Sequence, residues 1–350
     1  MESRLAGYLE RRRPDAARVD PSFADAADVL TRFVLDGGKR IRPTFAWWGW
    51  RGAGGDPSGI DVEAVLNAVS ALELIQACAL VHDDLMDHSD TRRGNPTVHV
   101  EFAGRHVRHG WDGPPENYGD AVAILLGDLA LAWADDMLND SGITADQRAR
   151  VRPVWAAMRT EVLGGQFLDA RSQAAGDESV EAAMRVNRFK TAAYTVERPL
   201  LLGAALAGAP AELVAGYRSF GADIGVAFQL RDDMLGVFGD PEVTGKPAGD
   251  DLREGKRTLL MAHAFEAARR SGRTEDIALL DGALGAPDLD SATLERVRAI
   301  LHDLGAVAEV ERRIDQLTGS GLAALDGIGI APPADTALAG LAHAATRRRY

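Results

Sequence analysis

Five aspartates in two clusters are the residues of this 350-residue chain best suited to chemistry: Asp83, Asp84 and Asp87 in HDDLMD, and Asp232 and Asp233 in QLRDDMLGVFGD, each at the end of a long apolar run. Residues four apart stack on one face of a helix, so Asp83 and Asp87 present two carboxylates to one hard cation. Two such helix ends, facing each other, would hold a magnesium cluster. Mg²⁺ usually takes one or two protein carboxylates and completes its shell with water and substrate phosphates. The pattern therefore points to a clamp for a diphosphate.

Basic groups follow each cluster. In SDTRRGNPTVH, Arg92 and Arg93 adjoin a Gly-Asn-Pro turn, where neighbouring guanidiniums point in different directions and could each grip a separate phosphate in bidentate fashion. In GGKRIRP, Gly37 and Gly38 let the backbone approach closely, while Lys39, Arg40 and Arg42 supply positive charge with no acid nearby in sequence. Lys190 and Thr191 in RFKTAAYT, Gln229 in AFQLRDD, Lys246 in TGKPAGDD and Lys256 in REGKRT complete a set of phosphate-capable groups. Alone, each reads as an ordinary surface or capping residue.

Helices must position these groups. Ala/Leu-rich segments with helical spacing recur at about 22–36, 60–88, 119–138, 145–173, 178–206, 211–238, 257–271, 291–317 and 334–347, and alternating strand patterns are scarce. This predicts an all-α protein. Gly/Pro-rich breaks at 51–59, 108–119, 239–251 and 282–290 are too short for interdomain linkers, which favours one domain over 1–350. The segment AVLNAVSALELIQACALVHDDLMD is apolar nearly all round, as in a helix at the centre of a bundle, so its acidic end must face a cavity. No apolar stretch is expected to span a membrane, and the charged start does not read as a signal peptide. With the single Cys78 compatible with a reducing compartment, a cytoplasmic protein is expected. The formal net charge of −13 argues against nucleic acid as a partner.

Taken in order along the chain, GGKRIRP, DDLMD followed by RRG, GQFLD, KT, FQLRDD and GKPAGDDLREGKRT resemble the trans-isoprenyl diphosphate synthases, from about Asp36 to Thr258. The motifs are specific in combination, and the chain looks most like a bacterial geranylgeranyl diphosphate synthase. The resemblance implies a helical bundle around a deep central cavity, usually a homodimer, with three Mg²⁺ per active site holding an allylic diphosphate beside isopentenyl diphosphate. Carried over by position, Asp83, Asp87 and Asp232 would ligate Mg²⁺, with Asp84 and Asp233 behind them. Arg92, Lys190, Lys246 and Lys256 would bind the allylic diphosphate, and Lys39, Arg42, Gln76 and Arg93 isopentenyl diphosphate. Gln166 and Asp169 would line the same mouth, Asp169 orienting a lysine or a metal-bound water. Thr191, the Lys190 carbonyl and Gln229 would face the allylic cation.

One departure stands out: DDMLG places Gly236 where most members carry a third aspartate. Asp240, Asp250 and Asp251 lie close in sequence, and restoring an aspartate at 236 is expected to lower the Mg²⁺ requirement. Product length should depend on what floors the cavity. Cys78 and Ala79, one turn of about 5.4 Å before Asp83, are small where a bulky aromatic stops family members at C15. Ile75 and Leu72 lie deeper and could close the floor, favouring a C20 product over farnesyl or C25 and longer chains. A class I terpene cyclase would need Asn/Asp, Ser/Thr and Glu at four-residue steps, but Asn187 and Thr191 lead to Thr195. A regulatory partner subunit would tolerate loss of both clusters, whereas the first is intact. The basic end, Arg347 to Arg349, is either a solvated tail or a cover for the isopentenyl site.

Overall fold

The computed structural model describes residues 1–240 and 248–347; Lys246, Arg348 and Arg349 lie outside the described residues. Among the described residues the regular structure is α-helical apart from an 11-residue π-helical stretch and one hairpin of two two-residue strands. Backbone contacts group the chain into two compact units, one formed by Met1–Val154 with Pro199–Ala209 and the other by Trp155–Arg198 with Pro210–Tyr350. Both units are discontinuous in sequence, so no single linker separates them.

The first unit contains α1 (Glu2–Val19), α2 (Pro21–Leu35), α3 (Ile41–Gly52), α4 (Val62–Ser70), α5 (Leu72–Met86), β1 (Thr91–Arg92), β2 (Asn95–Pro96), α6 (Val98–His109) and α7 (Pro115–Asn139). The start of α8 (Ala145–Ala175) and nearly all of α10 (Arg198–Ala207) belong to it too. Asp20 caps α2 by accepting from Ser22 N at 2.8 Å, with Pro21 at the first helical position, where its missing N–H costs nothing. The core is built on Leu5, Leu30, Phe45, Trp50, Leu72, Leu74 and Leu126, all at most 1% exposed. At about 25 cal/mol per Å², burying such side chains is the main favourable term in folding.

The run Val62–Met86 is long and apolar enough by composition to cross a membrane, which corrects the expectation that no such stretch exists. Its most apolar window is 67% buried. Packing against α7, α2 and α3 accounts for that burial, and the run serves as a core element of its unit.

The second unit holds the rest of α8, α9 (Val180–Val186), a π-helical stretch Asn187–Glu197, and α11 (Ala211–Phe238). It continues with α12 (Asp250–Arg253), α13 (Leu259–Arg270), α14 (Thr274–Ala283), α15 (Ser291–Asp303), α16 (Ala306–Ala323) and α17 (Ala334–Thr346). Its core joins Leu230, Met234 and Val237 of α11 to Leu260 and Phe265 of α13 and Val310 and Ile314 of α16.

The segment 178–206 reads as one α-helix, but its centre widens into the π-helix. Packing explains it, because a Cβ at Gly165 of α8 would lie 2.2 Å from Lys190 N and one at Gly225 of α11 would lie 2.6 Å from Ala192 Cα. Backbone approaches this close are open only to glycine. π-helical turns concentrate at functional sites, and this one carries Lys190 and Thr191.

Candidate functional site

In the first unit, α5 ends on the first aspartate cluster, with Asp87 as its C-cap residue. Carboxylates at a helix C-terminus oppose the macrodipole, so stability alone does not favour three of them there. Asp84 is 1% exposed and turned away from solvent. It accepts Arg92 Nε through both oxygens, at 2.7 and 2.8 Å. This buried, multidentate pair fixes the β1–β2 hairpin to the end of α5 and sets the direction of the Arg92 guanidinium. Ser89 N donating to Asp84 O at 2.9 Å, and the buried Thr97 hydroxyl donating to Ser89 O at 2.8 Å, secure the intervening loop.

Arg93 occupies the hairpin turn at φ 53°, followed by Gly94 at φ 76°, so the two turn residues share positive φ as in a type I′ hairpin. Its Nη1 donates to Asp36 O at 2.9 Å. A Cβ at Gly38, φ 99°, would lie 3.3 Å from Arg93 Nη2. The turn thus lays Arg93 against the Asp36–Gly38 loop, its bond to Asp36 spanning 57 residues. Burial, then the neighbouring charges of Arg92 and Arg40, pull the Arg93 pKa below its ordinary value. An anion arriving here would relieve that repulsion.

Lys39 is exposed at the tip of the same loop, Arg42 lies in the first turn of α3, and Gln76 is half-buried on α5. Arg40 is not remote from acid as its sequence neighbourhood implied. Its Nη1 donates to Glu73 of α5 at 2.7 Å and its Nε to Glu2 at 3.1 Å. Glu73, 6% exposed, was missed; its signal was an acid in an otherwise apolar helix, which must find a cation when buried. Further down α5, Ile75 is 2% exposed and Cys78 4%, whereas Ala79 is partly open. Cys78 Sγ lies 3.8 Å from His82 Nδ1, and burial raises the thiol pKa to about 12. The His82 ring reaches Ile124 O of α7 at 3.2 Å and lies where a Cβ at Gly127 would be. Cys78 therefore turns toward α7, and Ala79 shares the face of Asp83.

In the second unit, Lys190 Nζ donates to Asp169 Oδ2 at 2.5 Å, joining the π-helix to α8, on which Gln166 is half-buried. Thr191 follows, half-buried. Asp232 is exposed on α11, whereas Asp233 is buried at 5% exposure. Gln229 Nε2 donates to Asp233 Oδ1 at 2.6 Å, so the Gln229 carbonyl oxygen is directed away from that carboxylate. Burial foremost, with the charges of Asp251 and Asp232, pushes the Asp233 pKa up to about 8. Lys256 lies between acids, its Nζ 3.4 Å from Asp251 Oδ1 and also paired with Glu254.

Gly236 is packed against one of these acids. A Cβ built there would lie 1.9 Å from Asp251 Oδ2 and 2.3 Å from its Cγ. An aspartate at 236 would therefore have to displace the Asp251 carboxylate from the space it fills.

Asp83 and Asp87 are hard oxygen donors on one half-buried helical face, a set that fits Mg²⁺. Among the described residues no three His, Cys, Asp or Glu side chains converge as a closed metal cage. Such donors suit a cation whose remaining ligands are water and phosphate.

Residues 25–296 match the polyprenyl synthetase family model. The chain is 35% identical over 303 residues to a geranylfarnesyl diphosphate synthase of Aeropyrum pernix, spanning 85% of this chain and 86% of that protein. It is 38% identical over 237 residues to a (2E,6E)-farnesyl diphosphate synthase of Mycobacterium tuberculosis, spanning 67% of this chain and 59% of that protein. A geranylgeranyl pyrophosphate synthase from Corynebacterium glutamicum, solved with isoprenyl diphosphate and magnesium, superposes with a TM-score of 0.96 at 48% identity, over 99% of this chain and 97% of that one. The all-α isoprenoid synthase fold, the ordered motifs and the family match agree: the chain belongs to the polyprenyl synthetase family of trans-prenyltransferases.

Proposed function

We propose that the chain joins isopentenyl diphosphate head-to-tail to an allylic diphosphate of five, ten or fifteen carbons, with geranylgeranyl diphosphate (C20) as the main product. The observation that carries the product length is Ala79, small and partly open on the face of Asp83, with the larger Ile75 and Leu72 buried below. The likeness to the Corynebacterium enzyme supports the same length.

Asp83, Asp87 and Asp232 would hold Mg²⁺, three per site, which when bound neutralises charge gathering on the departing diphosphate. Arg92, Lys190 and Lys256, together with Lys246, would hold that diphosphate. Asp84 and Asp169 keep Arg92 and Lys190 in fixed directions, so their charges are in place before reaction. Arg93, Lys39, Arg42 and Gln76 would hold the second diphosphate beside the first. As the allylic C–O bond breaks, the carbonyl of Lys190, the hydroxyl of Thr191 and the carbonyl of Gln229 would turn their negative ends to the cation. The isopentenyl double bond supplies the electron pair of the new C–C bond. The released diphosphate takes the proton lost when the double bond re-forms, so no protein base is required.

A C25 product is the second reading, favoured by the 35% identity to a geranylfarnesyl diphosphate synthase. A homodimer in the cytoplasm is the setting proposed for the enzyme. Incubating purified protein with isopentenyl diphosphate, each primer and Mg²⁺, then sizing the products, tests the reading. A dominant C20 product supports it, and C25 supports the second reading. Cyclised hydrocarbon, or no condensation with any primer, would overturn both.

A further inference from the structure

We propose that Arg231 is a positioning residue through which docking of the C-terminal helix α17 sets the turn of α11 that carries Asp232 and Asp233. This deepens the proposed function and rests on it. Arg231 directly precedes the two aspartates and is 7% exposed. Its Nη1 and Nη2 donate to the two carboxylate oxygens of Glu311 on α16, each at 2.6 Å. Its Nε donates to Thr346 O at 2.9 Å, 115 residues away in sequence. Thr346 is the last residue of α17 and is 1% exposed, and its carbonyl is among the helix-end acceptors that no amide within the helix can satisfy. One guanidinium thus joins three helices of the second unit at the residue before the acids.

Stability alone does not account for a cation in this place. A buried ion pair is often no more stabilising than well-packed apolar side chains of its size, and what a bidentate pair adds is direction. Nor does the end of α11 need Arg231 as a cap. Arg298 of α15 already donates from Nε and Nη2 to Val237 O, at 2.9 and 2.7 Å, which puts positive charge where the helix dipole favours it. Arg231 grips the side of the helix six residues earlier. With α17 docked, three bonds fix residue 231 and with it the direction of the aspartates that follow. With α17 undocked, the Nε bond is lost and the turn is released. Linkage makes the effect reciprocal: a diphosphate held by the fixed turn must in its turn favour the docked α17.

Hydrogen exchange of the α17 amides, with and without Mg²⁺ and a non-ionising C15 thiodiphosphate, reads this coupling without turnover. In the wild type the ligand should slow exchange across the last turns of α17 by about fivefold or more. Arg231→Met keeps most of the volume and leaves a half-buried Glu311 that water can reach. In it the slowing should vanish and the Kd of the thiodiphosphate should rise by a matching factor, while the KM for isopentenyl diphosphate stays near wild type. Arg231→Lys, which keeps the charge but not the rigid fork, should fall between the two. Exchange in wild-type α17 that ignores the ligand overturns the proposal and leaves the synthase reading intact, as does slowing that survives in Arg231→Met. A lower melting temperature with an unchanged Kd would mark a purely structural ion pair and overturn it too. Wild-type protein that binds no thiodiphosphate in Mg²⁺ would remove the synthase reading itself, and this inference with it.

Discussion

The aspartates of the first cluster divide their work by direction. Asp84 is spent on Arg92 inside the protein, and Asp83 and Asp87 share the half-buried face at the end of α5. Asp83→Ala should therefore lower kcat/KM by roughly a hundredfold or more, because charge stabilisation at the leaving group is lost. The melting temperature should stay near wild type, as no core contact is removed, and steady-state kinetics beside thermal unfolding checks both. Near-normal turnover at saturating Mg²⁺ would remove Asp83 from the clamp. Asp233 makes a different prediction. Its native pKa of about 8 lies above the ordinary aspartate's 3.8, so between those values the native state holds a proton that the unfolded chain has released. Stability of the protein in EDTA should then fall as pH rises from about 4 to about 8, the reverse of the usual trend for an ion-paired acid. Asp233→Asn should flatten that slope, and melting temperatures against pH for both proteins measure it. An identical slope in the variant would mean that other groups set the pH dependence.

Long helices rich in apolar residues, such as α7 and α11, were legible because composition and length need no tertiary context. Those that escaped carry residues that weigh against a helix or dilute its apolar content. α1 is rich in charge and carries Pro14, α3 combines Pro43 and Gly49 with three tryptophans, and α6 is dominated by histidine and β-branched residues. The π-helix could not be read either, because its cause is contact with glycines far away in sequence. On α5 the same limit affects chain length. Cys78 and Ala79 are adjacent and both small, yet Cys78 is buried against His82 while Ala79 lies under Asp83. Ala79→Phe should shorten the main product to C15 with little loss of stability. Cys78→Phe must displace His82 and should cost about 1–3 kcal/mol by overpacking, whatever it does to the product. Product sizing and thermal unfolding of the two variants separate the effects. Equal shortening and equal melting temperatures would show that the two positions face the same space.

At the scale of the whole molecule, the residues expected to bind substrate are divided between the two compact units. Asp83, Arg92, Arg93 and Gln76 lie in the first, and Asp169, Lys190, Asp232 and Lys256 in the second. The order of motifs exposed the family because each motif is local, whereas Asp84 with Arg92, Arg40 with Glu73, and Asp251 with Gly236 are pairings that only folding creates. Subunit association was legible only through resemblance. The structure adds an observation that bears on it: Ile124 and Leu125, neighbours on α7, are 48% and 62% exposed. Large apolar side chains left exposed on a long helix are the kind of surface that a partner would cover. A two-fold dimer would bring each such patch against a surface of its mate, and one substitution would act twice. We therefore expect wild-type protein to run as a dimer in light scattering and Leu125→Glu to run as a monomer at micromolar concentration, with an unchanged helical circular dichroism spectrum. A Leu125→Glu dimer as tight as wild type would place the interface on another face, and a monomeric wild type would remove the dimer altogether.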